Sequence, residues 1–397
     1  MTGASAFGRL LRDHRRRSAL TQDQLADLST LSVRAIRDLE QGRAHRPRLN
    51  TVRLLADGLE LRGRRREAFE AAARAGDGIG RWLTDELRRR RPPAAMSGLL
   101  GRDAEVRVLS DLLLTDHHRV VTVTGVAGVG KTRLAVEVTR QADPLPVLWY
   151  RCPVRDLGRI ADPVGDEQAL LVLDGQRGLA PGAAAILELL DACPGVRVLV
   201  TASAPLGLPE ERVVPLPPLA VPRHGDDMAQ VERSPSVRVL LRHIRALNPA
   251  FRLDAANVAA IIDVCRGCDG HPQVLGQAAV WCALRSPDHV RDCLAAGVVG
   301  LSRPPGDHPD LAEELGRDLA ALGTPERRLL TRLLPLPGAW SIDEAATLTG
   351  DDPIRVAGTV HGLLLRGLVR ATDHVGTTRF ATLRLVRSLL APEPVPV

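Results

Sequence analysis

Aromatic side chains are nearly missing from this 397-residue chain: four Trp, four Phe and one Tyr make up 2% of it. Leu, Val and Ala must build its cores, and recognition of single-stranded RNA or DNA by stacking bases on rings is disfavoured. Lysine is scarcer still. Of 53 basic residues only Lys131 is a lysine, a bias that suggests a GC-rich coding genome. No apolar run reaches about 18 residues, the length a membrane span needs. Arg9, Arg12 and Asp13 stand where a signal peptide carries its apolar stretch, so no leader and a cytoplasmic location are expected. Six cysteines in a chain of this length do not make a disulfide framework. Cys265 and Cys268 form a CxxC, but Cys282 and Cys293 lack the spacing of a second zinc pair, and small buried residues are expected.

The remaining composition is that of a globular protein, 45% hydrophobic and 25% charged, with room for several domains of about 100–200 residues. The net charge of +6 is unevenly spread. Residues 1–91 carry 21 Arg against 12 Asp and Glu, and the rest is slightly acidic. That asymmetry suits a nucleic-acid-binding module joined to a near-neutral body; solvated basic helix faces would give the same balance.

Residues 7–72 read as a helical bundle. Thr21-Gln22-Asp23-Gln24 has the form of a capping box and opens a short helix whose apolar positions are Leu25, Ala26 and Leu28. Ser32 can cap a second helix with Val33, Ile36 and Leu39 facing inward and Arg34 and Arg37 outward, ended by Glu40-Gln41-Gly42. Two short helices around a tight turn, the second presenting Arg, fit a helix-turn-helix. The run TQDQLADLSTLSVRAIRDLEQGR resembles the Cro/lambda-repressor (XRE-type) helix-turn-helix family over about residues 7–62. The resemblance implies a recognition helix at 32–41 and a phosphate contact from Gln22. The expected DNA-binding set is Gln22, Ser32, Val33, Arg34, Arg37 and Arg43. Arg34 and Arg37 can meet guanine edges or phosphates.

After a linker at 76–98 the pattern changes to short Val/Leu runs alternating with helices. Strands are expected at Val120–Thr124, Val147–Tyr150, Ala169–Leu173, Val196–Thr201 and Val213–Leu216, with helices at 131–142 and 182–192. Such alternation builds a parallel sheet covered by helices. Helical text follows to about 296, a Pro/Gly/Asp gap lies at 303–309, and the Pro-rich end from Pro392 is expected to fray. The expected fold is multidomain: an all-α helix-turn-helix domain (1–75), a linker (76–98), an α/β P-loop nucleotide-binding domain (99–230), a helical subdomain (231–302) and a compact last unit (308–391).

Gly125-Val126-Ala127-Gly128-Val129-Gly130-Lys131-Thr132 matches GxxxxGK[ST] without a gap, between an expected strand and an expected helix. In that context the amides of the loop and the helix N-terminus cradle phosphates, Lys131 neutralises β/γ charge, and the Thr132 hydroxyl ligates Mg2+. In a chain otherwise purged of lysine, Lys131 persists where a compact ammonium fits and a planar guanidinium does not. Leu170–Leu173 followed by Asp174 reads as a buried strand ending in a carboxylate that can hold the metal's water shell.

Gly101-Arg102-Asp-Ala-Glu105, the loop, LLVLD, Val198–Thr201 with PLGLPEERVVPLPPL, Cys268-Asp-Gly-His-Pro272 and the terminal unit occur in a recognisable order. Together they resemble the NB-ARC type of STAND signal-transduction NTPase over about 98–391. The resemblance implies that Gly101 and Arg102 border the adenine and that Pro272 packs on the base. With Gly125, Val126, Ala127, Gly128, Val129, Gly130, Lys131, Thr132, Arg133, Asp174 and Ser203 they form the expected nucleotide set. In the last unit Thr324 reads as a cap, Ser341–Glu344 as a capping box, and Leu368–Ala371 with Thr378–Thr382 around Asp373–Gly376 as a hairpin wing, so this unit resembles a winged helix.

Four departures from the family matter. Gly175 stands where a second acidic or amide residue orients water, and Ser203 stands where an Arg senses the γ-phosphate. The stretch from Lys131 to Asp174 is short, and the family's Met-His-Asp triplet falls on Thr382-Leu383-Arg384. Losing the water-orienting and charge-sensing groups removes transition-state stabilisation while leaving binding intact. The expected function is a transcriptional regulator that binds ATP/ADP with Mg2+ and double-stranded DNA, hydrolyses ATP slowly or not at all, and can assemble on nucleotide exchange. The competing readings are a slow ATPase and a signalling or defence scaffold whose helical N-terminus binds protein. A C-terminal array of sensor repeats would favour the scaffold; none is seen.

Overall fold

The computed structural model describes residues 6–41, 43, 47, 49–75, 90–94, 98–115, 118–142, 145–154, 157–158, 164, 168–176, 182–223, 225–295, 311–336, 338–372 and 378–390. The chain falls into two compact units, one containing the N-terminal helices and the other most of the chain beyond Pro92. Most of the expected linker, the gap at 303–309, the turn at 373–376 and the stretch 392–397 lie outside the described residues.

The N-terminal unit contains α1 (Ala6–Arg17), α2 (Gln22–Ser29), α3 (Val33–Glu40), α4 (Leu49–Gly58) and α5 (Arg64–Ala75). The capping box forms: Gln24 N donates to Thr21 Oγ1 at 3.1 Å and Thr21 N to Gln24 Oε1 at 2.8 Å. Ser32 Oγ accepts from Ala35 N at 3.2 Å and starts α3. Leu25, Ala26, Ile36 and Leu39 pack with Phe7, Leu11, Val52, Leu55 and Phe69. Leu28, expected on the apolar face, is 57% exposed. On a 3.6-residue period positions 25, 26 and 29 share a face and 28 falls beside it. Ser29 is buried in its stead and donates to the Leu25 carbonyl at 2.6 Å.

The second unit opens with α6 (Asp103–Ser110) and carries a sheet of β1 (Val120–Thr124), β2 (Val147–Arg151), β3 (Ala169–Gln176), β4 (Val196–Ala202) and β5 (Arg212–Pro215). Every pairing is parallel, in the order β2-β3-β4-β1-β5. The crossovers include α7 (Lys131–Gln141) and α8 (Ala183–Ala192). β1, β3 and β4 are apolar and buried because both faces of a parallel sheet are covered. β3 runs beyond the expected Leu173, and its register shifts between Leu173 and Gln176, where Gly175 adopts φ +81°. This bulge re-aims the strand end at the site.

Then come α9 (Met228–Arg233), α10 (Pro235–Leu247), α11 (Val258–Gly267), α12 (Pro272–Leu284) and α13 (Pro287–Ala295), around a core of Val237, Leu240, Ile244, Ile261, Val264 and Leu275. Cys265, Cys268 and Cys282 belong to this core, and burial pushes their thiols up, Cys265 to about 12. The C-terminal part has α14 (Leu311–Ala320), α15 (Thr324–Leu333), α16 (Ile342–Thr349), α17 (Pro353–Leu365), β6 (Val369–Thr372), β7 (Arg379–Thr382) and α18 (Arg384–Leu390). β6 and β7 pair antiparallel, and Trp340 exchanges backbone bonds with Phe380 beside them. The Ser341–Glu344 box forms, but Thr324 is not the cap of α15. Gly323 is, its N–H donating to Glu326 Oε2 at 2.9 Å, because Thr324 already has helical geometry.

Glu40 holds the N-terminal helices together. Its side chain is buried, accepts from Arg15 Nε at 2.7 Å and Gln22 Nε2 at 2.7 Å, and lies 3.7 Å from Arg12. Burial alone would raise its pKa, but bonds from Arg15 and Gln22 and the charges of Arg15 and Arg12 bring it below the ordinary carboxylate value. Its contribution is therefore present at neutral pH and is lost as acidification protonates it. Glu40→Ala should lower the opening free energy of α1–α3 by about 3 kcal/mol, read by hydrogen exchange in the full chain at pH 7. Equal protection in wild type and variant would remove this role.

Candidate functional site

The glycine-rich loop leaves β1 and enters α7. Positive φ at Gly125, Gly128 and Gly130 coils the backbone so that successive amides line a concave turn. At Gly128 (φ +73°) a Cβ would stand 2.8 Å from His271 Cε1 and 2.9 Å from Gln273 Cβ, so a side chain there would force the loop and the start of α12 apart. Lys131 Nζ folds over the loop and donates to the carbonyls of Gly125 at 2.7 Å and Val126 at 2.9 Å. Val126, Ala127 and Val129 are buried and anchor the turn.

The buried Asp174 ends the straight part of β3. Its Oδ1 accepts from Thr132 Oγ1 at 2.7 Å and Thr201 Oγ1 at 2.8 Å, and Thr201 Oγ1 in turn accepts from Gly175 N at 2.8 Å. A hydroxyl and a carboxylate converging at the loop are the hard oxygen donors that Mg2+ takes. A cavity of about 330 Å3 is lined here by Lys131, Thr132, Gln176 and Ser203, with Glu314 and Asp318 of α14. A larger one of about 650 Å3 runs from Gly128, Val129 and Gly130 to Leu100, Arg102, Arg133 and Pro272. The loop, Asp174, Ser203, Arg102 and Pro272 thus come together as the sequence grouped them.

Arg102 is tied down at this site. It is buried, donating to Glu105 Oε1 at 2.7 Å and to the Pro217 carbonyl at 2.6 Å, so its role is to fix the chain that borders the cavity. The neighbouring Gly101 packs on Pro235 of α10. Sequence reasoning missed His271. Its ring is buried, donates from Nε2 to the Ala127 carbonyl at 2.8 Å, and accepts the α12 cap bond from Val274 N at Nδ1. Burial, with the charges of Lys131 and Arg102, pushes its pKa down to about 4 despite the bond to Ala127. The capping position before Pro272 was the one available signal. Asp269 was missed too. It adopts φ +52°, is buried, accepts from the Arg384 N–H at the start of α18 and lies 3.7 Å from Arg370 Nη2. The α18 N-terminus, beside the triplet position Thr382–Arg384, is thus held by a carboxylate of the helical segment.

In the N-terminal unit Arg34 and Arg37 stand outward on α3, Arg34 being 3.8 Å from Asp38, and Arg43 is exposed 3.5 Å from the same carboxylate. Three of the expected DNA contacts are otherwise engaged. Gln22 gives its amide to Glu40, the Ser32 hydroxyl caps α3, and Val33 packs against the core. These side chains shape the motif, which leaves Arg34, Arg37 and Arg43 to reach outward.

The depressed pKa of His271 has a pH consequence. Between about pH 6.5 and 4 the unfolded chain binds a proton there that the folded chain refuses, so folding stability falls on acidification. Across that window wild type should lose stability more steeply than His271→Gln in urea unfolding; parallel slopes would count against the buried neutral ring.

Comparison with known proteins matches residues 6–69 to a helix-turn-helix domain. A Mycobacterium bovis protein named as an HTH-type transcriptional regulator is 28% identical over 309 residues, covering 69% of this chain and 33% of that protein. The regulatory protein AfsR of Streptomyces coelicolor is 34% identical over 202 residues, 38% of this chain and 20% of AfsR. This chain therefore spans a third or less of the length of these two relatives. Among solved structures, a STAND protein with a tetratricopeptide-repeat sensor from Pyrococcus horikoshii covers 76% of this chain and 43% of its own, with 13% identity and a TM-score of 0.33. The chain joins a helix-turn-helix domain to a body in which a glycine-rich loop links β1 of a five-stranded parallel sheet to α7.

Proposed function

We propose that this protein is a DNA-binding transcriptional regulator whose body binds an adenine nucleotide. The observation that carries the reading is the meeting of the loop amides and Lys131 with the Thr132–Asp174 pair at the mouth of two cavities. Backbone donors and one ammonium suit a polyphosphate. Thr132 and Asp174 are the residues that would hold Mg2+, which supplies charge neutralisation at the terminal phosphates. The domains are read as 1–75, 99–230, 231–302 and 308–391, the last a winged helix, and the protein as cytoplasmic.

Gly175 and Ser203 offer no charged group to the transferring phosphoryl group, so hydrolysis is slow or absent. Glu314 and Asp318 reach the terminal-phosphate cavity from α14. A γ-phosphate brings negative charge towards these carboxylates, whereas ADP does not. ADP thus favours the arrangement with α14 in place and ATP disfavours it, which is the differential a nucleotide switch needs. Assembly on exchange follows from that reading.

Two outcomes test it. Calorimetry should find ADP bound more tightly than ATP, with Lys131→Ala weakening both by about 100-fold, as expected for lost charge-assisted bonds; absence of any adenine-nucleotide binding would end the nucleotide half. Genome-wide DNA capture should return enriched sites for wild type and lose them in Arg34→Ala/Arg37→Ala, each bidentate contact being worth about 1–3 kcal/mol. No enriched site for wild type would favour the scaffold instead.

A further inference from the structure

Resting on the nucleotide reading, the two cavities give the bound molecule a direction. Lys131, Thr132 and Ser203 line the smaller one and mark the terminal-phosphate end. The larger one runs away from the loop to Leu100, Pro272, Arg242 and His243 and takes the nucleoside. A nucleoside di- or triphosphate carries no negative charge at that end. Cations nevertheless gather there. Arg133 Nη2 and Arg242 Nη1 converge on one acceptor, the Gly98 carbonyl, at 3.4 and 3.1 Å.

α10 adds more. Arg238, Arg242 and Arg245 recur at i, i+4 and i+7 and share one face of the helix. They line a further cavity of about 650 Å3 that meets the nucleoside cavity at Leu100 and Arg242; among the described residues Glu232 is the carboxylate lining it, and Glu314 lines the nucleoside cavity. Their proximity is felt. Burial and then the charges of Arg133 and Arg238 lower the pKa of Arg242, and burial, Arg242 and Arg133 lower that of His243. Guanidiniums packed together in a concavity repel one another until an anion bridges them, and planar forks suit phosphate oxygens. A concave site continuous with the nucleotide cavity fits a small phosphate group better than an extended polyanion.

We propose that the nucleoside end of this site opens into a subsite for a second phosphate group, held by Arg242 together with Arg238 and Arg245. The shared chemistry is a phosphate ester or anion. It reaches the site either as a substituent on the nucleoside of the same ligand or as a separate anion beside the nucleotide.

Calorimetry on the full chain distinguishes the two sources. Adenosine 3′,5′-bisphosphate should bind about 10-fold more tightly than adenosine 5′-monophosphate, or pyrophosphate should tighten ADP binding by a similar factor. The first result assigns the phosphate to the ligand's own nucleoside and the second to a separate anion. Arg238→Gln/Arg245→Gln, at positions outside the nucleotide cavity, should abolish the gain and leave ADP affinity unchanged. No gain in either arm, or an undiminished gain in the double variant, overturns the proposal while ADP still binds. A wild type that binds no ADP overturns the nucleotide reading instead.

Discussion

The glycine-rich loop is the point on which the second unit turns. β1 and α7 are its arms, the ammonium of Lys131 closes it from above, and His271 of the helical segment grips the Ala127 carbonyl. The C-terminal part touches it as well. A Cβ on Gly367 (φ +72°) would lie 3.0 Å from Gly125 Cα, so the chain between α17 and β6 comes this close to the loop because Gly367 has no side chain. The backbone that would cradle phosphates therefore also joins the sheet, the helical segment and the C-terminal part. Any change in the loop's shape is felt by both of the others.

Asp269 strengthens that junction away from the loop. Held at φ +52° and buried, it caps α18 from outside the helix and lies near Arg370, so one carboxylate restrains two C-terminal elements. Burial raises its pKa although Arg370 and the amides of Arg384 and Leu385 favour the charged form. This contact from the helical segment stands beside Thr382-Leu383-Arg384. A nucleotide that displaced α14 or Gly367 would have to work against this bond, which ties the site to the arrangement of the C-terminal part.

Much of this was legible in the residues. The strands came out within a few positions because buried parallel strands are short continuous apolar runs. The loop and Asp174 were legible because their chemistry is local: consecutive amides, one lysine, one carboxylate at a strand end. The caps at Thr21, Ser32 and Ser341 were too, since donor and acceptor are three residues apart. Leu28, expected on the apolar face, is exposed; an eight-residue helix leaves little periodicity to fix its face. Gln22 is expected at a phosphate, and nothing near it in the sequence announces Glu40, which accepts its amide across 18 positions.

The sequence by itself determined the local elements: which runs become strands, where helices begin, and that a phosphate-type loop precedes a helix. Those follow from periodicity, capping and backbone freedom, and need no distant partner. Tertiary structure decided what the loop touches. His271 meets Ala127 across 144 residues and Asp269 meets Arg384 across 115. Arg133 and Arg242 meet at Gly98 only once α7 and α10 have packed. Such pairings are selected by the closure of the whole core, in which a buried polar group must find whatever partner the packing brings within reach.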